Sequence, residues 1–90
     1  MGNRFEEYSI FDDKGEVKRL VEYLIQNKDP EVTIDRLRKF EFSYLFTFSK
    51  GWRIKEVELT RSEIEASWDW KRGNIDETLE KKIHHAIDEL

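Results

Sequence analysis

Residues 36–55 combine positive charge with aromatic rings and are the part of the sequence best suited to bind a ligand. The block holds six bases and one acid, a net charge of +5, and six of the chain's twelve aromatic residues. A single-stranded nucleic-acid platform needs rings that stack on bases and cations that follow the phosphates. The bases are Arg36, Arg38, Lys39, Lys50, Arg53 and Lys55.

The same rings are also strong candidates for the hydrophobic core. Every second residue from position 40 to 48 is aromatic: Phe40, Phe42, Tyr44, Phe46 and Phe48. Such alternation is typical of one face of a strand. Burying one large ring stabilises a fold by roughly 1.5–3 kcal/mol, and a small domain cannot leave several of them in solvent. We therefore expect these rings to form the core and Trp52, with the basic loop beside it, to be exposed.

The other two tryptophans of the chain lie at positions 68 and 70. Neighbouring residues on a helix are about 100° apart, so Trp68 and Trp70 must point to different faces. Trp68 follows Ile64 by four residues and is expected in the core, which leaves Trp70 as a candidate interface anchor next to two bases. Packing of Trp70 beneath the following turn is the competing interpretation. The candidate binding residues are thus Arg36, Arg38, Lys39, Lys50, Trp52, Arg53, Lys55 and Trp70.

No catalytic or metal-binding constellation accompanies these residues. The chain has no cysteine and only four glycines, so thiolate chemistry and a phosphate-cradling glycine loop have no basis in the sequence. His84 and His85 are adjacent and diverge on a helix, and no cluster of further ligands is visible near them. We expect no enzymatic activity, no metal and no cofactor.

The elements that must position these residues begin with a helix over about 14–28. Its apolar stripe recurs at helical spacing: Val17, Leu20, Val21, Leu24 and Ile25. Asp12 and Asp13 are the predicted N-cap, and the segment ending at Pro30 stops the helix. Upstream, residues 5–11 mix aromatic and acidic residues and could form a short edge strand.

A β-hairpin is predicted over about 40–48 and 52–60. A three-residue loop with Gly51 in the left-handed conformation avoids forcing Lys50 to positive φ. That loop places Trp52 and Ile54 on the same face as Phe46 and Phe48. Val57 and Leu59 then fall in the opposite phase, so either a bulge near Lys55 restores the register or the end of the strand turns to another core.

Residues 30–40 remain open between helix and strand. Pro30 or Thr33 could begin a second helix, whereas Val32, Thr33 and Ile34 are β-branched in a row and favour a strand. If the segment is helical, it could belong to a helix-turn-helix whose recognition helix is 43–50. The strict alternation of rings over 42–48 argues against that alternative.

Two helices are predicted at the C-terminal end, over about 61–72 and 75–89. Thr60 and Glu63 form a capping box for the first, and Gly73 is a suitable residue to end it. Asn74 is the expected cap of the second helix. The sequence therefore predicts a single α+β domain over residues 1–90, with a central antiparallel hairpin and three helices on one face.

Charge is distributed unevenly along the sequence, and this narrows the range of functions that we expect. Residues 1–35 carry a net charge of −4 and residues 56–90 carry −5, so the overall net charge of −4 is the sum of two acidic segments and one basic hairpin. Blocks of alternating sign steer a charged partner and fix its orientation. We expect a non-enzymatic binding module that acts through protein–protein contact, such as a regulator or inhibitor from a mobile element.

The alternative is a nucleic-acid-binding domain that uses residues 36–55, either winged-helix-like or as a single-strand platform. A homodimer is a further option, since a sheet face or the last helix can exceed what one small core covers. No apolar run approaches the length of a membrane span, and no targeting segment is recognisable, so we expect a cytoplasmic protein without membrane contact.

Overall fold

The α+β arrangement predicted from the sequence is confirmed by the computed structural model, which describes residues 14–90. The elements are α1 (Lys14–Lys28), β1 (Thr33–Lys39), β2 (Ser43–Lys50), β3 (Arg53–Thr60), α2 (Arg61–Ala66), a 3-10 turn (Trp70–Arg72) and α3 (Glu77–Asp88). The strands form one antiparallel sheet in the order β1-β2-β3. The expected edge strand at 5–11 and the cap at Asp12 and Asp13 lie outside the described residues.

Helix α1 has the predicted bounds because its apolar stripe packs against the sheet. All five stripe residues are buried: Val17, Leu20, Val21, Leu24 and Ile25. The backbone N–H of Asp29 donates to the carbonyl of Ile25 at 2.7 Å, and Pro30 follows, so the helix ends at Lys28.

The open segment before the hairpin is a strand, and the helix-turn-helix alternative is wrong. β1 pairs with β2 from Thr33 opposite Ser49 to Lys39 opposite Tyr44, with a register shift between Ile34 and Arg36. Residues 43–50, the supposed recognition helix, are the central strand of the sheet. Pairing to β2 satisfies the backbone of a β-branched segment that has little tendency to form a helix.

The hairpin itself is confirmed, although its first strand begins later than expected. Phe40 and Phe42 lie in the turn between β1 and β2, where the N–H of Phe40 donates to the carbonyl of Ser43 at 2.8 Å. Both rings are exposed, Phe42 at 68%. The chain must reverse between β1 and β2, so the alternation of rings in the sequence extends beyond the strand.

The loop of the hairpin is one residue shorter than predicted, and this changes which side chains share a face. Lys50 pairs with Arg53, so the loop is Gly51 and Trp52, with Gly51 at a φ of 65°. Glycine at the first loop position is the requirement of type II′ turns.

The β2–β3 ladder then runs without a bulge, with Val57 opposite Phe46 and Leu59 opposite Tyr44. Val57 and Leu59 therefore join the core face, and Ile54 turns away from it. The predicted bulge near Lys55 is wrong, as is the placement of Trp52 and Ile54 beside the core rings.

The C-terminal half contains a short helix, a 3-10 turn and a longer helix. The Thr60–Glu63 capping box is present as predicted. Helix α2 ends at Ala66 because Ser67, which is fully buried, donates its hydroxyl to the carbonyl of Glu63 at 3.0 Å and accepts the N–H of Asp76 at 2.8 Å.

Helix α3 begins two residues later than predicted, because its cap is Asp76 and not Asn74. The carboxylate of Asp76 accepts the N–H of Leu79 at 2.9 Å. The Asn74 amide instead donates to Asp69 at 2.9 Å and closes the preceding turn.

The core lies between the sheet and the helices, which all pack on one sheet face. Helix α1 contacts β1, α3 contacts β3, and the two helices contact each other. Tyr44, Phe46 and Phe48 of the central strand are at most 1% exposed, while the residues between them are partly exposed. We call the covered side the inner face. Among residues 14–90, no helix is both long and apolar enough to cross a membrane.

Candidate functional site

The six bases of the basic aromatic block do not form one surface. The register places Lys39 opposite Tyr44 and Lys55 opposite Phe48, which are inner-face positions. Lys50 and Arg53 share that side at the end of the hairpin. Arg36 and Arg38 pair with Thr47 and Leu45 on the opposite side of the sheet. The predicted binding bases are therefore divided between two faces.

Three of these bases hold the end of the hairpin against the helical layer. The Lys50 ammonium donates to the Asp29 carboxylate at 2.7 Å, just beyond the end of α1. The Arg53 guanidinium donates to the backbone oxygen of Leu90 at 2.9 Å, and Lys55 forms an ion pair with Glu89. These contacts tie β2 and β3 to both helices.

The two ion pairs change the titration of their members. Lys50 donates a hydrogen bond that holds the pKa of the Asp29 carboxyl below its ordinary value, and the N–H of Glu31 adds to the effect. The same hydrogen bond raises the pKa of Lys50. Lys55 lowers the pKa of Glu89 in the same way.

The aromatic face of the hairpin is core, as the sequence favoured. Tyr44, Phe46 and Phe48 are buried, and the rings of Phe46 and Phe48 are 6.1 Å apart in a tilted arrangement. A nucleic-acid base could reach these rings only if the helices moved away. A stacking platform on β2 therefore has no accessible rings to use.

Trp52 is exposed, as predicted, and dominates the end of the hairpin. Its side chain is 87% exposed, and Ile54 beside it is 64% exposed. The Arg53 guanidinium lies 5.9 Å from the centroid of the Trp52 ring, within cation–π distance. We call Trp52, Arg53 and Ile54 the hairpin tip. It is an apolar surface next to one positive charge.

The core assignment of Trp68 is wrong, whereas Trp70 is packed, as the competing interpretation of this residue had it. Trp68 is 68% exposed, whereas Trp70 is 9% exposed and lies 5.4 Å from Tyr23, centroid to centroid. Because α2 ends at Ala66, the helical phase used to assign the two faces no longer applies at these positions. Trp70 belongs to the packing between α1 and the 3-10 turn and is not an interface anchor.

The side of the sheet that points away from the helices is the second exposed surface of interest. We call it the outer face, and its members are Thr33, Asp35, Arg36, Arg38, Ser43, Leu45, Thr47, Ser49, Ile54, Glu56 and Glu58. Its two middle rows cross all three strands: Arg36, Thr47 and Glu56 form one, and Arg38, Leu45 and Glu58 form the other. One edge is thus positive and the other negative.

Hydrogen bonds order both ends of the outer face. Near the hairpin tip, Asp35 accepts the Ser49 hydroxyl at 2.8 Å, and the hydroxyls of Ser49 and Thr33 are 3.1 Å apart. At the other end, Ser43 donates to Glu58 at 2.7 Å.

Glu56 and Glu58 were not among the predicted site residues. Their alternation with Val57 and Leu59 was the available signal, but its meaning depends on the correct hairpin loop.

No catalytic geometry is evident in the described part of the chain. A shallow groove of about 580 Å³ between α1 and the turn at Gly73 is lined by Tyr23, Asn27 and His84, among others. His85 contacts Glu89 at 2.9 Å on the same helix. Within residues 14–90, no three histidine or acidic side chains converge to hold a metal ion.

Comparison with known proteins adds no functional information. No family model, curated protein or solved structure matches the chain. The hairpin tip and the outer face are therefore the two exposed surfaces from which we infer function.

Proposed function

We propose that this chain is a small non-enzymatic binding module that docks its hairpin tip onto a protein partner. The observation that carries the proposal is the 87% exposure of Trp52, whereas most of the other large apolar side chains of residues 14–90 form a closed core. Tryptophan and arginine are enriched among the residues that dominate binding energy at protein interfaces. Acting by occupancy of a partner suits a regulator or an inhibitor.

The tip is held in place before any partner arrives. Its loop has only two residues, and the Lys50–Asp29 and Arg53–Leu90 contacts join its base to the helical layer. A loop that is already ordered loses less conformational entropy on binding, so more of the contact energy contributes to affinity. In this proposal Lys50 acts as a positioning residue and not as a contact.

The chemistry of the tip defines the site it fits. Trp52 and Ile54 need an apolar pocket, and the Arg53 guanidinium at the rim favours carboxylates beside that pocket. Lys50 and Lys55 are already neutralised by Asp29 and Glu89. We therefore expect one positive charge at the docking site and a moderate dependence of affinity on salt.

The experiment is capture from an extract of the source organism at low salt, with the full chain immobilised. The wild-type chain and the Trp68→Ala variant should retain the same protein in a stoichiometric amount, and Trp52→Ala should not. Trp68 is the matched control because it is also an exposed tryptophan, but it follows α2 in the sequence and is not part of the hairpin tip. Equal capture by Trp52→Ala, or no stoichiometric partner at all, would contradict the proposal.

Nucleic acid has less support as a partner because the bases are divided and the rings are covered. Titration with a short single-stranded oligonucleotide at low salt is the discriminating measurement. Saturable binding that weakens steeply with salt, and less steeply in a variant with Arg53→Ala and Lys55→Ala, would favour the nucleic-acid function over the one proposed here.

A further inference from the structure

We infer that the outer face of the sheet pairs with the outer face of a second copy of this chain. The inference deepens the proposed function, because it rests on the domain working through protein contact and names one partner. It uses a different surface from the Trp52 anchor. The two proposals can therefore fail separately.

The first observation is that the four charged residues in the two middle rows of the outer face form no ion pair and are sorted by strand. Arg36 and Arg38 lie on β1, and Glu56 and Glu58 lie on β3. Within residues 14–90, neither arginine forms an ion pair, and neither does either glutamate. Strands are about 4.8 Å apart, so the two charged stripes lie about 10 Å apart, with Thr47 and Leu45 between them.

This arrangement is complementary to itself under one particular two-fold rotation. Consider an axis that runs parallel to β2 and lies between two stacked sheets. Rotation about it places β1 of one copy over β3 of the other and keeps each row at its own height. Arg36 then faces Glu56 of the second copy, and Arg38 faces Glu58 of the second copy.

The same axis passes through the centre of the contact. It brings Leu45 onto the second Leu45 and Thr47 onto the second Thr47, so the middle of the interface is small and partly apolar. The Arg36–Glu56 and Arg38–Glu58 contacts each occur twice, as an isologous dimer requires. The natural twist of the strands allows the two sheets to pack with their strands about 30° apart.

The charges also exclude the other simple face-to-face dimer. A two-fold axis perpendicular to the strands would place β1 on β1 and β3 on β3. Arginines would then face arginines, and glutamates would face glutamates, which costs free energy when the charges lose water. The net charge of −4 repels a second copy as well, so only the complementary orientation brings the faces together.

The size of the face sets the strength of the dimer. Strands of seven, eight and eight residues cover roughly 350 Å² per copy, well below the about 800 Å² that each partner contributes to a standard interface. We therefore expect a reversible dimer with a dissociation constant in the micromolar range or weaker, formed at low salt and lost at high salt.

The test uses two charge variants of the full chain. Arg36→Glu with Arg38→Glu makes both charged stripes acidic, and Glu56→Arg with Glu58→Arg makes both stripes basic. Sedimentation velocity from roughly 10 μM to 1 mM, at about 20 mM and about 300 mM salt, should show dimer for the wild type at low salt only. Each variant alone should stay monomeric, and an equimolar mixture of the two should form a heterodimer.

A third variant that carries all four substitutions exchanges the stripes and should dimerise like the wild type. Recovery in the mixture and in this variant separates lost complementarity from damaged folding, which circular dichroism checks independently. A wild-type chain that is monomeric throughout, or dimers that persist in both double variants, would overturn the inference.

A cross-link tests the orientation, since the chain has no cysteine of its own. Stacked sheets lie about 10 Å apart, which a short bismaleimide spans. Thr47→Cys should be linked to its second copy in good yield at low salt, and the exposed Glu65→Cys on α2 should not. Equal yields would overturn the face-to-face arrangement.

The outcomes also separate this inference from the proposed function. The double charge variants should still capture the Trp52-dependent partner, because the tip is intact in both. If the wild-type chain is monomeric but still captures its partner through Trp52, only the outer-face dimer is overturned and the proposed function stands.

Discussion

Phe42 and Phe46 are the same residue type four positions apart, yet one is exposed and the other is fully buried. Phe46→Ala should lower the free energy of unfolding by about 3–5 kcal/mol, because it removes a ring from the centre of the core and leaves a cavity. Phe42→Ala, the matched control, should change it by less than about 0.5 kcal/mol. Urea unfolding followed by circular dichroism measures both, and equal losses would contradict the assignment of the core.

The burial of single side chains was predictable from the sequence where apolar residues recur at regular spacing over a long segment. The buried stripe of α1 and the buried rings of β2 follow from spacing alone, whereas the exposure of Trp52 was expected from its place beside the basic loop. The environment of Trp70 does not, because it depends on where α2 ends. That end is fixed by Ser67, whose hydroxyl donates to the carbonyl of Glu63 and accepts the N–H of Asp76, nine residues further along the chain.

At the scale of the elements, the hairpin loop sets the register of the whole sheet. Gly51 has a φ of 65°, and a Cβ added there would meet no atom within 4 Å. Gly51→Ala should therefore destabilise the protein by about 1–2 kcal/mol through backbone strain alone. Gly51→Asn, which tolerates this conformation better, should lose clearly less. Thermal unfolding gives both values, and an equal loss in the two variants would point to a cause other than backbone conformation.

The sequence did not reveal this loop because two and three residues are both compatible with a glycine at position 51. A difference of one residue moves every side chain of β3 to the other face. The choice is made by the fold, since only the shorter loop lets Val57 and Leu59 meet Phe46 and Tyr44. Whether β1 is a helix or a strand was equally open in the sequence, because its several charged residues favour neither. It becomes a strand by pairing with β2.

For the whole molecule, the ion pairs between the hairpin and the helices make stability depend on pH. Folding lowers the pKa of Asp29 and Glu89 from ordinary values of 3.8 and 4.5. A carboxyl group whose pKa falls on folding stabilises the protein above its unfolded pKa, and that contribution is lost as the pH falls through the folded value. The free energy of unfolding should therefore decrease from about pH 5 downwards.

Lys50→Gln and Lys55→Gln should flatten this acid dependence, and Lys81→Gln should not. Lys81 is exposed on α3 and takes part in none of these pairs. At the alkaline end the sign is reversed, because the pKa of Lys50 is raised on folding. Its contribution is present below its ordinary value of 10.5 and is lost as the pH rises through the folded value. Urea midpoints across the pH range measure these slopes, and three parallel profiles would contradict the assignment.

The charge pattern shows what a linear sequence conveys about a surface and what it omits. The basic block was identifiable as a run of residues with a net charge of +5. Its division into positioning contacts on the inner face and a positive stripe on the outer face required the register of all three strands. Arg38 and Lys39 are neighbours in the sequence and lie on opposite sides of the sheet.

The register shift in β1 has a consequence for the solubility of the folded chain in concentrated solution. In the described part of the chain β1 is an edge of the sheet, with backbone groups that could template the strand of another molecule. The irregularity between Ile34 and Arg36 interrupts that template, and the cations that follow repel an identical edge. A chain that pairs through a closed, two-fold face stops growing at two copies, and the interrupted β1 edge does not extend that pair into a fibre.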